Sequence, residues 1–300
     1  MSGLVTTEWL EEQMKSPDWK EKYCLLDCTW DLPKAKRNFQ EEHNNCRIPG
    51  AKLFDLNECR NKDAKLPNTV PSELHFVNHV KKFPLSNAKH VILYDNSERF
   101  GLFSAPRVWW LFNVFGHSNV SIVDGGLPKW KREGRKIESG PYTEDENFPA
   151  IENEFKAAYN ADLVKDLSFM KTNFEQKCPV QVLDARPNGR FRGVEPEPRP
   201  DIPSGHMPLS ISIPFFTNFN MQEKVMFPTD EIKSNLTKAA VDLNKPIVSS
   251  CGSGITASAL LFSLFLVTGQ RYPLFDDSWF GWQTNTPNTP EWQLREKTEN

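Results

Sequence analysis

Cys251 stands between two apolar segments in the stretch KPIVSSCGSGITASALLFSLFLVTG, residues 245–269. The segment before it predicts a short strand, and the segment after it predicts a buried helix because it is apolar on nearly all sides. In the turn between them, Gly252 and Gly254 permit positive φ and a close approach of the backbone. Successive N–H groups in such a turn form an anion-binding nest beside the positive end of the helix. We therefore predict that Cys251 is held as a thiolate and acts as a nucleophile.

Other interpretations of this stretch are weaker. A cysteine phosphatase loop, C-x5-R, would place its arginine at position 257, where this chain has Ala257. A serine hydrolase turn, G-x-S-x-G, does not match the spacing around Ser253. A free cysteine can also be a small buried hydrophobic residue, and that alternative remains open for Cys251.

The elements around Cys251 occur twice in the chain. The matched pairs Asp27/Asp184, Pro49/Pro208, Asp95/Cys251 and Asp124/Asp276 follow the same order at offsets of 157, 159, 156 and 152 positions. Each copy alternates β-rich runs with helical stretches, which is typical of parallel strands flanked by helices. The repeat predicts an α/β protein of two similar domains. One large doubly wound domain is the alternative.

The boundaries follow from the repeat. We predict an N-terminal domain over residues 1–138, a linker over 139–159 and a C-terminal domain over 160–300. The stretch IESGPYTEDENFPAIENEF, residues 137–155, is acidic and contains proline, as linkers often do. Residues 284–300, TNTPNTPEWQLREKTEN, predict a mobile tail.

Composition describes an ordinary globular protein without a basic surface for nucleic acid. The 300 residues are 38% hydrophobic and 25% charged, and the net charge is -3. The six cysteines form no C-x-x-C pair and are too sparse for a disulfide framework, so a reducing compartment is expected. The N-terminus resembles neither a secretory signal nor a mitochondrial presequence, and the run ALLFSLFLV at 259–267 is too short to cross a bilayer. We expect a cytoplasmic protein with no membrane partner.

Two motifs carry a resemblance to a known family. CGSGITA at 251–257 and DARPNGRFRGVEPEPRPDIPSGHMP at 184–208 resemble the tandem-rhodanese sulfurtransferases, and within them the 3-mercaptopyruvate sulfurtransferases. The resemblance extends over nearly the whole chain. It implies two rhodanese-like domains, each with a mostly parallel sheet flanked by helices. It also implies that the N-terminal domain is catalytically silent and that the C-terminal domain carries the nucleophile.

The resemblance also implies the roles of several residues. Arg190 and Arg199 match the positions that bind the substrate's carboxylate and carbonyl, a task that suits the planar guanidinium. Ser253 matches a residue that orients or transfers a proton near the reacting sulfur; alternatively, its hydroxyl caps the next helix. The remaining substrate-binding positions belong to the same loop: Gly252, Gly254, Ile255 and Thr256.

The activity that the resemblance implies is transfer of a sulfane sulfur. Cys251 would take sulfur from 3-mercaptopyruvate, release pyruvate and pass the sulfur to a thiol such as thioredoxin or a small thiol, or to cyanide. Second thiols would release hydrogen sulfide. No cofactor and no metal are expected. Thiosulfate as the donor, or a catalytically weak module that binds or senses sulfur, are the alternatives.

Three positions depart from the family's pattern. Its mercaptopyruvate members support the serine with an aspartate and a histidine, and the sequence places Asn57 and Ala64 at those positions. A tyrosine of the family corresponds to Phe103. An Asp-His-Ser proton relay therefore cannot be carried over to this chain. Losing an acid–base partner costs about 10²–10⁴ in rate when that group transfers a proton in the transition state, so we expect a slower enzyme or a shifted donor preference.

The remaining polar residues have structural interpretations. His75 and His79 are spaced i,i+4 but have no third metal ligand in sight, so we expect a solvated helix face. His206 in SGHMP is expected to be a hydrogen-bonded structural histidine, and Arg186 a partner of Asp184. Arg192, close to Arg190, ranks below it as a substrate ligand. Cys59 is a candidate for a redox brake.

Overall fold

The computed structural model describes residues 3–141, 154–286 and 293–294. The chain divides into two compact units. Unit 1 comprises Met1–Lys62, Val70–Asn160 and Asn220–Met226, and unit 2 comprises Asp63–Thr69, Ala161–Phe219 and Phe227–Asn300. Residues 63–69 lie in the first half of the chain but belong to unit 2. Residues 220–226 lie in the second half but belong to unit 1.

Unit 1 is built around a parallel five-stranded sheet in the order β1-β5-β4-β2-β3. Its strands are β1 (Leu4–Val5), β2 (Tyr23–Asp27), β3 (Lys52–Leu53), β4 (His90–Tyr94) and β5 (Val120–Val123). Its helices are α1 (Thr7–Met14), α2 (Trp19–Lys22), α3 (Phe39–Asn45), α4 (Glu73–Val80), α5 (Ala105–Val114) and α6 (Gly126–Arg132). Part of its core is formed by Leu10, Leu25, Ile92, Val123, Leu127 and Trp130.

Unit 2 repeats this arrangement, with the sheet order β6-β12-β11-β7-β8 and parallel pairing throughout. The strands are β6 (Val164–Lys165), β7 (Gln181–Asp184), β8 (Ile211–Ser212), β11 (Ile247–Ser250) and β12 (Leu274–Phe275). A separate pair is formed by β9 (Phe219–Asn220) and β10 (Val225–Met226), and residues 220–226 of this pair belong to unit 1. The helices are α7 (Leu167–Glu175), α8 (Asn188–Arg192), α9 (Thr229–Lys238), α10 (Ile255–Thr268) and α11 (Ser278–Asn285).

The two sheets confirm the repeat that the sequence predicted. Matched strands occupy the same places in the two orders: β2 corresponds to β7, β4 to β11 and β5 to β12. The fold class is therefore α/β with two similar parallel sheets flanked by helices. In unit 2 the register pairs Ser250 with Asp184, so the residues after β11 and after β7 emerge side by side at the carboxyl edge of the sheet. Ligands bind at that edge in open α/β sheets.

Helix α10 follows β11 and is buried as predicted over most of its length. Its residues from Ile255 to Leu264 are buried except for the half-buried Thr256, and those from Phe265 to Thr268 are half-buried. Glycines in the left-handed region bound the helix at both ends, with φ of 88° at Gly254 and 71° at Gly269. The uniform apolarity of α10 reflects packing on several sides.

The predicted linker and tail are described only in part. Residues 142–153 of the linker, and 287–292 and 295–300 of the tail, lie outside the described residues. Within unit 1, Phe155 is 3% exposed and lies against Phe76, with ring centroids 5.9 Å apart. In unit 2, Leu294 pairs with His206 in an antiparallel bridge. Phe155 is therefore packed in unit 1, and Leu294 is paired in unit 2, while most other described residues of the two segments are exposed.

Candidate active site

Cys251 lies in the loop between β11 and α10, where the sequence predicted it. Its Sγ accepts a hydrogen bond from the backbone N–H of Gly254 at 3.1 Å, and the residue is 2% exposed. Gly254 itself has φ of 88°, a backbone conformation that side chains disfavour. Ile255 then begins α10, so the sulfur lies at the positive end of a 14-residue helix. The sulfur thus accepts a backbone N–H at the start of a helix, in a loop that has no charged side chain.

The start of α11 holds the other side of the loop. The N–H groups of Trp279 and Phe280 donate to the carbonyls of Cys251 and Gly252 at 2.9 Å and 3.2 Å. Ser278 Oγ accepts from the Cys251 N–H at 3.4 Å and donates to the Phe275 carbonyl at 3.0 Å. These four hydrogen bonds fix the path of the backbone on which the sulfur is carried.

Ser278 is a functional position that sequence reasoning missed. Its φ is +54°, a left-handed value that is uncommon for a residue with a Cβ. By the repeat, Ser278 corresponds to Gly126 of the first copy, whose φ is also +54°. The sequence contained one signal for this position: in the matched turns of the two copies, the second copy has a serine where the first has a glycine. The strained conformation persists because the hydroxyl supports the Cys251 loop.

Arg190, on the short helix α8, reaches the backbone of Gly252. A Cβ built on Gly252 would lie 2.9 Å from Arg190 Nη2, so the guanidinium packs directly on the glycine next to the nucleophile. Arg190 Nη2 forms an ion pair with Glu197. Its Nε is buried and has no hydrogen-bond partner within the described part of the chain. This buried N–H is a donor that the described residues leave unsatisfied.

Arg199 lies on the same side of the loop. Its guanidinium is 5.3 Å from the ring centroid of Phe280. Burial lowers the pKa of Arg199, while the charges of Cys251 and Glu197 raise it and that of Arg190 lowers it. Among the described residues, no carboxylate forms an ion pair with Arg199. The structure thus brings both predicted arginines near Cys251.

Glu197 forms ion pairs with both Arg186 and Arg190, and sequence reasoning did not single it out. Its Oε1 accepts from Arg186 Nη1 at 2.8 Å and its Oε2 pairs with Arg190, while its side chain is 4% exposed. Glu197 therefore orients Arg190 towards Gly252. The only sequence signal was an acidic residue between the two predicted ligands in EPEPRP.

Arg186 is the structural partner of Asp184, as predicted. Its Nε and Nη2 donate to the two carboxylate oxygens of Asp184 at 3.0 Å and 2.6 Å, and Nη2 also donates to the Gly205 carbonyl at 2.7 Å. Its guanidinium stacks 4.6 Å from the Trp279 ring centroid. Arg186 is fully buried, so it supports the site without facing a ligand. Asp184 and Glu197 pair with Arg186 and Arg190, whereas Arg199 has no ion-pair partner among the described carboxylates.

Ser253 has a neighbour that the sequence did not predict. Its Oγ accepts a hydrogen bond from Asn68 Nδ2 at 3.2 Å, and both side chains are buried. The prediction placed Ala64 at the position facing this serine, but the polar contact comes from Asn68, four residues later in the segment that joins unit 2. A short run without regular structure gives little basis for aligning one residue rather than another.

The other two departures have structural roles inside unit 1. Asn57 Oδ1 accepts from Trp30 Nε1 at 2.9 Å. The backbone N–H of Phe103 donates to Asp95 at 2.8 Å. The ring of Phe103 stacks on that of Trp30 at 6.4 Å between centroids.

Asp95 occupies the position in unit 1 that corresponds to Cys251. Its Oδ2 accepts from the backbone N–H groups of Phe103, Ser104 and Ala105, each at 2.8 Å, at the start of α5. The first copy therefore holds a carboxylate at the matching helix N-terminus. Burial raises the pKa of Asp95, and the three N–H donors lower it. A carboxylate engaged in this way is not placed to take up sulfur, so this loop shows the anion-binding geometry without the nucleophile.

In the described ranges, no three His, Cys, Asp or Glu side chains come together as a metal site. Likewise, none of the helices that the structure describes combines the length and apolarity needed to cross a bilayer.

Comparison with known proteins places this arrangement in a family. The rhodanese-like domain model matches the chain twice, over residues 6–133 and 167–285. Human 3-mercaptopyruvate sulfurtransferase is 38% identical over 280 residues, covering 93% of this chain and 91% of the relative. The chain belongs to the rhodanese family. Bovine thiosulfate sulfurtransferase is 35% identical over 289 residues. This alignment covers 95% of this chain and 93% of the bovine protein.

Solved structures of the rhodanese family agree with this assignment. The 3-mercaptopyruvate sulfotransferase SseA from Escherichia coli is 30% identical with a TM-score of 0.79, covering 93% of this chain and 99% of that one. The Tum1 protein from Saccharomyces cerevisiae, 24% identical, has a TM-score of 0.85 and covers 99% of both chains, which indicates the shared fold. The tandem rhodanese-like organisation that the sequence predicted is confirmed.

Proposed function

We propose that the protein transfers a sulfane sulfur from 3-mercaptopyruvate, through a persulfide on Cys251, to a thiol acceptor. The observation that carries this proposal is the position of Cys251 Sγ. It accepts the Gly254 N–H at 3.1 Å beside a pair of arginines. The relatives named 3-mercaptopyruvate sulfurtransferase support the choice of donor. The N-terminal domain, with Asp95 at the matching position, is catalytically silent in this proposal.

The first step forms a sulfur–sulfur bond. The Cys251 thiolate attacks the thiol sulfur of 3-mercaptopyruvate, and the bond between that sulfur and carbon breaks. The electron pair of the broken bond passes to the adjacent carbonyl, which gives the enolate of pyruvate. Arg190 and Arg199 bind the donor's carboxylate and carbonyl and stabilise the growing negative charge. A proton from solvent converts the enolate into pyruvate and leaves Cys251 as a persulfide.

The second step returns the enzyme to its starting form. A thiolate from thioredoxin or from a small thiol attacks the outer sulfur of the persulfide, and Cys251 leaves as the thiolate. A second thiol can then displace hydrogen sulfide from the acceptor. Cyanide accepts the same sulfur to give thiocyanate. In both steps the sulfur is surrounded by the residues of its loop, which has no positively charged side chain. These residues are Gly252, Ser253, Gly254, Ile255 and Thr256.

Thiosulfate is the competing donor, favoured by the bovine relative and by the presence of two arginines. Arg190, however, is already paired with Glu197, so the site offers a dianion less uncompensated positive charge than two unpaired arginines would. A module that only binds or senses sulfur is the remaining alternative. The cytoplasm is the proposed compartment, supported by the absence of disulfides among the described cysteines.

Mass spectrometry of the intact protein tests the proposal. After incubation with 3-mercaptopyruvate and removal of excess donor, the wild-type protein is expected to gain the mass of one sulfur atom and to release one equivalent of pyruvate. Cys251→Ser provides the control and should gain nothing. Sulfur gained only from thiosulfate would identify that compound as the donor. No adduct from either donor would leave the sulfur-binding module as the better explanation.

A further inference from the structure

The hydrogen bond that Ser253 accepts from Asn68 is not part of a proton relay, because an asparagine amide does not take up the serine's proton. We propose that Asn68 is a positioning residue that makes Ser253 a hydrogen-bond donor towards the reacting substrate. This inference rests on the function proposed above. It is carried by one contact, the hydrogen bond from Asn68 Nδ2 to Ser253 Oγ at 3.2 Å, which joins residues 185 positions apart in the sequence.

The chemistry of the two groups sets the direction of this hydrogen bond. An amide nitrogen only donates, so the serine oxygen accepts from Asn68 and its own hydrogen must point elsewhere. An asparagine side chain does not titrate between acid and neutral pH, so it cannot take the serine's proton. Ser253 is therefore not made more basic by its neighbour. Its hydroxyl becomes a better donor because the oxygen is already accepting.

The surroundings make this contact strong and specific. Asn68 is 8% exposed and Ser253 is 7% exposed, so water competes little for either group. The backbone of Asn68 has φ of +60°, a left-handed value that asparagine tolerates better than most residues. Asparagine is thus favoured here twice, by its backbone conformation and by its side-chain donor.

The position of Ser253 indicates where its hydrogen goes. The residue lies between Cys251 and Gly254, whose N–H already donates to the sulfur. When the donor's carbon–sulfur bond breaks, the electron pair moves onto the carbonyl oxygen, and a hydroxyl hydrogen aimed at that oxygen stabilises it. No proton passes to Asn68 in this step, and the carbon of the enolate takes its proton from solvent. Ser253 acts as part of an oxyanion site, and Asn68 holds it there.

A double-mutant cycle separates this role from a general structural one. We expect Asn68→Ala to slow persulfide formation in a single turnover by about three- to tenfold, the equivalent of one neutral hydrogen bond. The half-saturating donor concentration should change little, because the contact acts in the transition state. In a Ser253→Ala background, Asn68→Ala should cause no further loss. Rapid quenching followed by mass spectrometry gives the rate.

Two more variants sharpen the test. Asn68→Asp keeps the shape but replaces the donor with an acceptor, which would draw the serine's hydrogen away from the substrate, so it should be at least as slow as Asn68→Ala. Asn173→Ala is the matched control: Asn173 is also a buried asparagine of unit 2, but its amide bonds the Val180 backbone. Its effect should be the same with and without Ser253.

The outcomes are distinguishable. Losses that multiply between Asn68→Ala and Ser253→Ala, or an Asn68→Asp variant as fast as wild type, would overturn the inference while leaving the sulfur transfer intact. A wild-type protein that forms no persulfide would overturn both proposals. A wild-type protein that forms the persulfide, together with a non-additive cycle, supports both.

Discussion

Gly252 is the residue at which the proposed nucleophile and the proposed substrate-binding arginine meet. Its neighbour Cys251 carries the sulfur, and Arg190 Nη2 lies against its α-carbon. Glu197, buried beneath, holds Arg190 in that place. The absence of a side chain at position 252 therefore lets the guanidinium approach the loop closely.

Gly252→Ala tests this packing. The new Cβ would lie 2.9 Å from Arg190 Nη2, which is too close, so the guanidinium must move by a few tenths of an ångström. Because a flexible side chain moves rather than the backbone, we expect the fold to be retained. The KM for 3-mercaptopyruvate should rise by about three- to tenfold, since a displaced guanidinium holds the carboxylate less well. Steady-state kinetics measure the change.

Arg192→Ala is the control for this prediction, because Arg192 lies on the same helix, α8, and ranks below Arg190 as a ligand. It should leave the KM close to that of the wild type. An unchanged KM in Gly252→Ala would indicate that Arg190 does not bind the donor. An equal rise in both variants would point to α8 as a whole.

Helix α4 shows how an element can carry a polar residue into a core. The i,i+4 pair His75 and His79 predicted a solvated face, and for His79 this prediction is wrong. His79 is 5% exposed, and its ring lies 4.7 Å from that of Phe54 and 5.7 Å from that of Phe83. Sequence spacing identified the helix face but not the side of the helix that the core covers.

His79 should make unit 1 sensitive to acid. Burial in this apolar site lowers the pKa of His79 from 6.5 to about 4. The unfolded chain therefore binds a proton that the folded chain resists, and stability is present above pH 6.5 and is lost as pH falls towards 4. Between pH 7 and pH 5 we expect His79 to contribute a loss of about 2 kcal/mol in the free energy of unfolding, to which the buried His90, whose pKa burial also lowers to about 4, adds its own loss.

Urea unfolding at the two pH values measures this loss. His79→Leu should reduce the pH dependence by that amount, because the apolar site accepts the leucine and the titrating group is gone. His75→Gln removes a histidine from the same helix and leaves His79 in place, so the dependence should remain. A His79→Leu variant with the full pH dependence would show that other groups cause it.

Across the whole molecule, Cys251 differs from the other cysteines in its setting. All six are free thiols. Burial raises the pKa of five of them: Cys24 to about 12, Cys178 to about 11, and Cys28, Cys46 and Cys59 in the same direction. Those five are therefore protonated at neutral pH and poor nucleophiles. Cys59, 1% exposed, is badly placed for the redox role considered from the sequence.

This difference predicts where sulfur is found. After incubation with 3-mercaptopyruvate at neutral pH, peptide mapping by mass spectrometry should locate the persulfide on Cys251 alone. Alkylation with iodoacetamide in 6 M urea provides the control, since all six cysteines should then react. Persulfide on Cys46 or Cys178, the two half-buried cysteines, would contradict the prediction.

Features that depend on neighbours along the chain can be predicted from the sequence alone. The repeat, the alternation of strands and helices, and the loop that carries Cys251 are local patterns, so composition and spacing sufficed to predict two α/β domains. The family motif also pointed to Arg190 and Arg199, because both lie within one continuous stretch near Asp184.

The distant side chains that contact the Cys251 loop are evident only in the folded chain. Asn68 comes from a segment 185 positions before Ser253, and Ser278 reaches Cys251 from 27 positions beyond it. Glu197 is turned inward by two arginines, one of which is buried beneath the sheet's carboxyl edge. Such contacts depend on how strands and helices pack, since packing alone brings remote residues within hydrogen-bond distance. A local sequence pattern does not specify the distance between residues that are remote in the chain.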